Sequence, residues 1–371
     1  MFDEVKYLPY RQTVFTPTET GIHVSSPWLS LDVDVESEQK PGIEQVLARV
    51  ASGTGLIADR EVQGFLGFFA DYPLLHVSPR TLTASHGGSR YASRAAELTS
   101  ASGPRQFLEV INPFADIDCA EAFSYFPASW EWETDSISAQ SRLPGNEALF
   151  DPFSVYTALR ARRLQFQIDH AGIAHQLLQN IEALRERDEA QFFRMLTILL
   201  SQQYYVTREC CSCLDPAIEH LSLIGEQIKA YKDEEVHHDR LILKSIRELS
   251  DQSESEFLFA PEVKLEIEVI KYAAKTCALG FSALVSIMEG TVYPESDPVG
   301  DVLKKSSKPS AHIGVEAHFQ INKRGNHTAI PESFVRQLPP VTAETVVIAT
   351  RLAEVAIRLD SGLARTMLKH L

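Results

Sequence analysis

A chain of 371 residues with 44% hydrophobic side chains, among them 19 Phe, 11 Tyr and 3 Trp, can bury a real core and is long enough for two domains. Its formal net charge of −15 argues against a nucleic-acid backbone as principal partner, because phosphate binding needs a basic face. No apolar run approaches the roughly 18 residues of a membrane span, and the N-terminal residues lack the basic and apolar regions of a secretory signal.

The first hundred residues mix short strands with short helices. Val14-Phe15 and residues 22–24 flank the turn pair Thr20-Gly21, and residues 28–35 alternate apolar and polar as a half-exposed strand does. Residues 41–50 predict a short helix closed by Gly53, residues 59–69 a second one capped by Asp59, and residues 74–77 a returning strand. Residues 1–105 therefore predict a small α+β domain, of winged-helix type, suited to recognising a peptide or a carrier protein; the charge disfavours DNA. The segment 78–105 is rich in Ser, Thr, Gly and Ala and reads as a loop, with His86 as a loop residue. Residues 106–152, with Trp130, Trp132 and several prolines, read as an irregular connector lying on a neighbour.

From residue 153 onward nearly everything has helical period. A helix capped by Ser154 is expected to reach Arg187, and another to start at Asp188 and pass Cys210. Pro216 is placed in the first turn of a central helix ending near Leu249. Pro261 opens a helix over 262–289 with Gly290 just past it, and residues 293–309 form a polar loop. A shorter helix follows from Ser310, broken near Gly325-Asn326, and a long one runs from Thr342 to Leu368. Residues 153–371 thus form an all-α domain. Cys210, Cys211 and Cys213 crowd on one helix, with Cys119 and Cys277 elsewhere. Five cysteines do not suggest a disulfide framework, and a reducing cytoplasm is the expected compartment. Cys-Cys-x-Cys lacks a second pair at zinc spacing, so the cluster reads as small core residues.

The chemistry concentrates in the central helix. Ile224, Ile228, Tyr231, Glu235, His238, Ile242, Ser245 and Leu249 fall on one stripe, so an acid and an imidazole one turn apart point into the core. Glu234 and His237 lie about 100° away, on the more polar side. A buried charge needs a partner or a metal, and Glu-x-x-His pairs from facing helices build di-iron sites. A Glu–His pair that only satisfies itself is the other reading. Glu289 sits at a helix C-terminus, where its charge opposes the helix dipole and a nearby cation would explain it. In 311–327, His318 and Asn322 share a face, His312 and Glu316 form an alternative set, and His327 joins His318 only if the helix is interrupted around Gly325. Glu209 shares a face with Gln202 and Tyr205 and is the best carboxylate of the preceding helix, ahead of Glu189 and Glu182; His170, His175 and His220 read as structural.

The run Asp233-Glu-Glu-Val-His-His-Asp-Arg-Leu-Ile-Leu-Lys-Ser245, preceded by Gln203-Tyr-Tyr-Val-Thr-Arg208, resembles the haem-oxygenase-like di-iron oxidase and oxygenase family, over about 155–371. The resemblance implies a haem-oxygenase-like multi-helix bundle without haem, two Fe(II) ions held between core helices, and O2 as co-substrate. Its usual ligands are an early glutamate and histidine, a middle glutamate and a late His-x-x-x-Asp-x-x-His helix. Glu235 and His238 match the early set, Glu289 the middle glutamate and His318 the first late histidine. Asn322 stands where the family has Asp and Gly325 where it has the last histidine, a place His327 takes through a local bulge. One metal, two weakly held metals or lost activity all remain open. A ferritin-like bundle needs Glu-x-x-His on two helices, and only one carries it. The resemblance implies an iron-dependent, O2-activating oxidase or oxygenase acting on a small amine- or carboxylate-bearing molecule, with a homodimer compatible. The alternative is a non-catalytic binding protein, its helical domain a scaffold for the N-terminal recognition module.

Overall fold

The computed structural model describes residues 5–9, 14–25, 30–51, 56–57, 75–77, 81–82, 149–169, 173–290 and 295–369. Over these the fold is mainly helical, with small antiparallel sheets towards the N-terminus.

The N-terminal part comprises β1 (Val5–Pro9), β2 (Val14–Pro17), β3 (Gly21–Ser25), β4 (Ser30–Asp34), α1 (Lys40–Ala51), β5 (Leu56–Ile57), β6 (Leu75–Val77) and β7 (Thr81–Leu82). The expected turn at Thr20-Gly21 joins β2 to β3, in a sheet of order β2-β3-β4. Gly21 is required there, because a Cβ would run into the Val33 carbonyl. A second sheet has the order β5-β1-β6, and a third pairs β7 with β8 (Leu149–Phe150) and β9 (Val341–Thr342). Thr81-Leu82, expected in a loop, is thus a strand. The expected helix over 59–69, His86, Cys119 and the connector up to residue 148 lie outside the described residues.

The helical part consists of α2 (Pro152–Asp169), α3 (Ile173–Arg187), α4 (Glu189–His220), α5 (Gly225–Glu235), α6 (His238–Leu249), α7 (Pro261–Thr276), α8 (Ala278–Glu289), α9 (Pro298–Lys304), α10 (His312–Gly325), α11 (Ile330–Val335) and α12 (Ala343–Leu368). Several starts follow local chemistry. Asp188 caps α4, its carboxylate accepting from Gln191 N at 3.0 Å. Pro261 occupies the first turn of α7, where a missing N–H costs nothing. Thr342 caps α12, which ends at Leu368 as expected.

Four expectations are corrected. The helix expected over 154–187 is two, α2 and α3. Its cap is Asp151, whose carboxylate accepts from Ser154 N at 3.1 Å, not Ser154. The helix expected over 262–289 is divided at Cys277, which is extended (φ −151°, ψ 101°) and whose thiol accepts from Gly280 N. The polar loop 293–309 contains α9, capped by Asp297. Finally, Pro216 lies inside α4 rather than opening the central helix, and that helix is broken into α5 and α6. Val236 and two consecutive histidines are weak helix formers. Val236 turns extended (φ −59°, ψ 121°) and His237 left-handed (φ 78°, ψ 8°).

Helix α4 is the axis against which α5, α6 and α7 pack. One core lies around Tyr231, Ile267, Phe281 and Ile348; a second surrounds Phe192, Leu196, Ile242 and Val315. The α5–α6 break falls between Tyr231 of the first and Ile242 of the second. Helix α10 crosses α6 closely enough that a Cβ on Gly314 would run into the Leu241 carbonyl. At the same crossing Val315 N donates to Ser245 Oγ at 3.0 Å.

Candidate metal centre

The break between α5 and α6 delivers its side chains as the stripe requires. Glu235 closes α5 and His238 opens α6, each 4% exposed, with His238 Nδ1 3.1 Å from Glu235 Oε2. His237, one residue earlier, faces solvent. The burial expected from one continuous helix therefore holds, while the geometry that produces it is a kink.

Glu289 is the last residue of α8, which Gly290 terminates at φ 80°, a conformation side chains disfavour. Tyr231, one turn before Glu235 on α5, donates its hydroxyl to Glu289 Oε1. Glu235 and Glu289 thus both sit at helix C-termini, where the dipole adds to their negative charge rather than offsetting it. The sequence reading admits His327 only if the late helix is interrupted near Gly325. It is: α10 ends at Gly325, Asn326 turns left-handed (φ 53°, ψ 45°), and His327 returns fully buried, 0% exposed. Its Nδ1 lies 3.0 Å from Glu235 Oε1 and 3.4 Å from Glu289 Oε2, and its ring stacks on His238 with centroids 6.0 Å apart. His318, buried on α10, stands edge-on to His238 at 5.3 Å, with Nδ1 3.4 Å from Gln203 Nε2.

The ligand-type atoms of Glu235, Glu289 and His327 lie within 4.8 Å of one another, a group that could bind a metal. The hydrogen-bond accounting supports a cation. Glu235 Oε1, His238 Nδ1, both ring nitrogens of His327 and Asn322 Oδ1 are buried, yet none makes a hydrogen bond of acceptable geometry. Buried polar atoms left so are costly. Close approach of several acceptors to one point without mutual hydrogen bonds is what an ion between them satisfies.

The same contacts set the protonation of the cluster when it is free of metal. Burial alone would raise the Glu235 carboxyl, but His238 and His327 outweigh it and hold it down at about 2. Burial alone would lower His327; contacts with Glu235 and Glu289 reverse this and push it up to about 10. Burial, joined by the charge of His238, takes His318 down to about 4, so it is a neutral imidazole, the form that ligates. Tyr231 is driven well above its ordinary value by burial and then by Glu289, and stays a donor.

A cavity of about 120 Å3 opens beside the cluster, lined by Glu235, Glu289, His318 and Asn322 together with apolar side chains such as Val206, Ile267 and Val285. Cys210 and Cys213 also line it, and burial raises both thiols, Cys213 to about 12. They are small protonated lining groups, and among the described cysteines none is in a disulfide. No family model, curated protein or solved structure matches the chain significantly.

Of the expected site residues, Glu235, His238, Glu289, His318 and His327 come together. Glu209 does not: its carboxylate is held by Arg208 Nε at 3.1 Å and Ser212 Oγ at 3.3 Å on a more exposed face of α4. Glu182 pairs with Lys305, and Glu189 is exposed in the first turn of α4. The His312/Glu316 set is not assembled either, since Glu316 binds Lys304 and Gln320 while His312 turns to the Pro309 carbonyl. Sequence reasoning missed Tyr231 as a donor, although its four-residue spacing from Glu235 on the same stripe carried the signal. Among the described residues no helix is long and apolar enough to cross a membrane.

Proposed function

We propose that the chain is a non-haem, iron-dependent oxidase or oxygenase that activates O2 and acts on a small amine- or carboxylate-bearing molecule. The observation that carries this reading is the buried Glu235/Glu289/His327 group with its unsatisfied polar atoms, next to a cavity. Two carboxylates and imidazoles form a donor set suited to Fe(II). His238 and His318 add neighbouring imidazoles, so the same cluster has donors for a second ion. Iron held there would supply O2 binding and electron transfer. The chain's own residues do the rest: Tyr231 orients Glu289, and the apolar walls limit water.

The cavity supports a compact substrate. An apolar cavity of about 150 Å3 holds one benzene molecule, so about 120 Å3 admits a molecule of similar or smaller size. Among the described residues no Lys or Arg lines it, so a substrate carboxylate would find its counter-charge at the metal. Mass-spectrometric metal analysis and an oxygen electrode, after anaerobic loading with Fe(II), test the reading. About two irons per chain with rapid O2 uptake are expected for a di-iron centre; one iron with O2 uptake would give a mononuclear enzyme. No bound iron would turn the assignment to a binding protein, its buried Glu235–His238 pair a structural one.

A further inference from the structure

We propose that Glu234 is the positioning residue of this centre, holding the His327 ring so that Nδ1, and not Nε2, faces the ion; this rests on the metal-binding reading above. Glu234 Oε2 lies 3.2 Å from His327 Nε2, on the side of the ring away from Glu235 and Glu289, an ion-pair separation whose angle falls short of a hydrogen bond. A carboxylate at that separation favours the proton on Nε2, and a small rotation of the ring on metal binding would complete the bond and leave Nδ1 as the only ring lone pair. That lone pair faces two carboxylates, an arrangement that is repulsive until a cation lies between them.

The surrounding backbone is shaped for this contact. A Cβ at position 325 would stand 2.8 Å from both Cδ2 and Nε2 of His327 and 3.3 Å from Glu234 Oε2, so the space for the pair exists only because residue 325 is glycine. The left-handed Asn326 then reverses the chain so that His327 enters it. Glu234 is also suited by its exposure. Its side chain is 52% exposed, while the ring it contacts is fully buried, so it reaches the site from the solvent side. Three features of separate origin, an acid on α5, a missing side chain on α10 and a left-handed residue after it, therefore converge on one ring nitrogen.

The test uses the full chain loaded with Zn(II) or Co(II), so it does not depend on turnover. Long-range 1H–15N spectra of the Zn(II) protein should show His327 ligated through Nδ1 with a proton on Nε2. E234A should bind Co(II) about 10- to 100-fold more weakly, with unchanged stoichiometry and altered Co(II) absorption bands. E234Q, whose amide oxygen still accepts from Nε2–H, should recover most of that affinity. Three results would overturn the proposal: ligation through Nε2, wild-type affinity in E234A, or an E234Q as impaired as E234A, which would make Glu234 a ligand. Failure of the unaltered chain to bind either metal would instead overturn the metal reading itself, and this proposal with it.

Discussion

Tyr231 donates its hydroxyl to the carboxylate of Glu289 across the junction of α5 with the end of α8. That bond ties the last residue of one helix to a side chain one turn from the other carboxylate, Glu235, so one residue links the two acids of the cluster. Replacing Tyr231 by Phe keeps the ring and its edge-on contact with His327 but removes the donor. Loss of one hydrogen bond to a buried carboxylate costs about 1.5–3 kcal/mol. The expected outcome is a weaker centre, by about 10- to 100-fold in metal affinity, with little change in helical content, read by Co(II) titration and circular dichroism.

His238→Ala should lower the metal stoichiometry and abolish O2 uptake, whereas His237→Ala should leave both intact. The two residues are adjacent, but one is buried against Glu235 and the other is exposed at the kink. Because His237 is left-handed (φ 78°), His237→Gly should raise the melting temperature slightly, by relieving a strain of about 1 kcal/mol. Equal loss from both alanine variants would contradict the kinked geometry.

The metal-free protein should be most stable between about pH 4.5 and 6.5. Glu235 is depressed from 4.5 to about 2, so its contribution is complete above 4.5 and is lost as pH falls through 2. His327 is raised from 6.5 to about 10, so its contribution is complete below 6.5 and is lost as pH rises through 10. A metal must displace the His327 proton, so metal affinity should rise with pH through the neutral range, with proton release on binding. Thermal melts of both forms across pH, and calorimetry in buffers of different ionisation enthalpy, check this.

Gly314→Ala should be strongly destabilising. The added methyl would meet the Leu241 carbonyl and stand 2.5 Å from Ser245 Oγ, so α10 must move off α6. Overpacking of this kind costs about 1–3 kcal/mol. It should also separate His318, one turn along α10, from His238. Denaturant unfolding gives the first effect and metal stoichiometry the second. Retention of both stability and metal binding would show that the crossing is looser than the structure has it.

The sequence by itself determined which side chains would be buried together. The stripe from Tyr231 through Glu235 and His238 to Ile242 reads correctly because burial follows hydrophobic period, and period survives a kink of two residues. Local signals likewise determined the starts at Asp188, Pro261 and Thr342, since a cap needs only its own first turn. Only the tertiary structure decided where helices break, because Cys277 and His237 adopt conformations that pay off through packing rather than propensity. It also decided which acids belong to the centre. Glu209 and Glu289 look alike as glutamates on amphipathic helices; one meets Arg208 and the other meets Tyr231 and His327, and both partnerships depend on the orientation of neighbouring side chains. His327 is the clearest case. The Gly325-Asn326 pair announces the break, but the empty space beside Gly325 that admits the ring, and the carboxylates the ring then meets, come only from the packed structure.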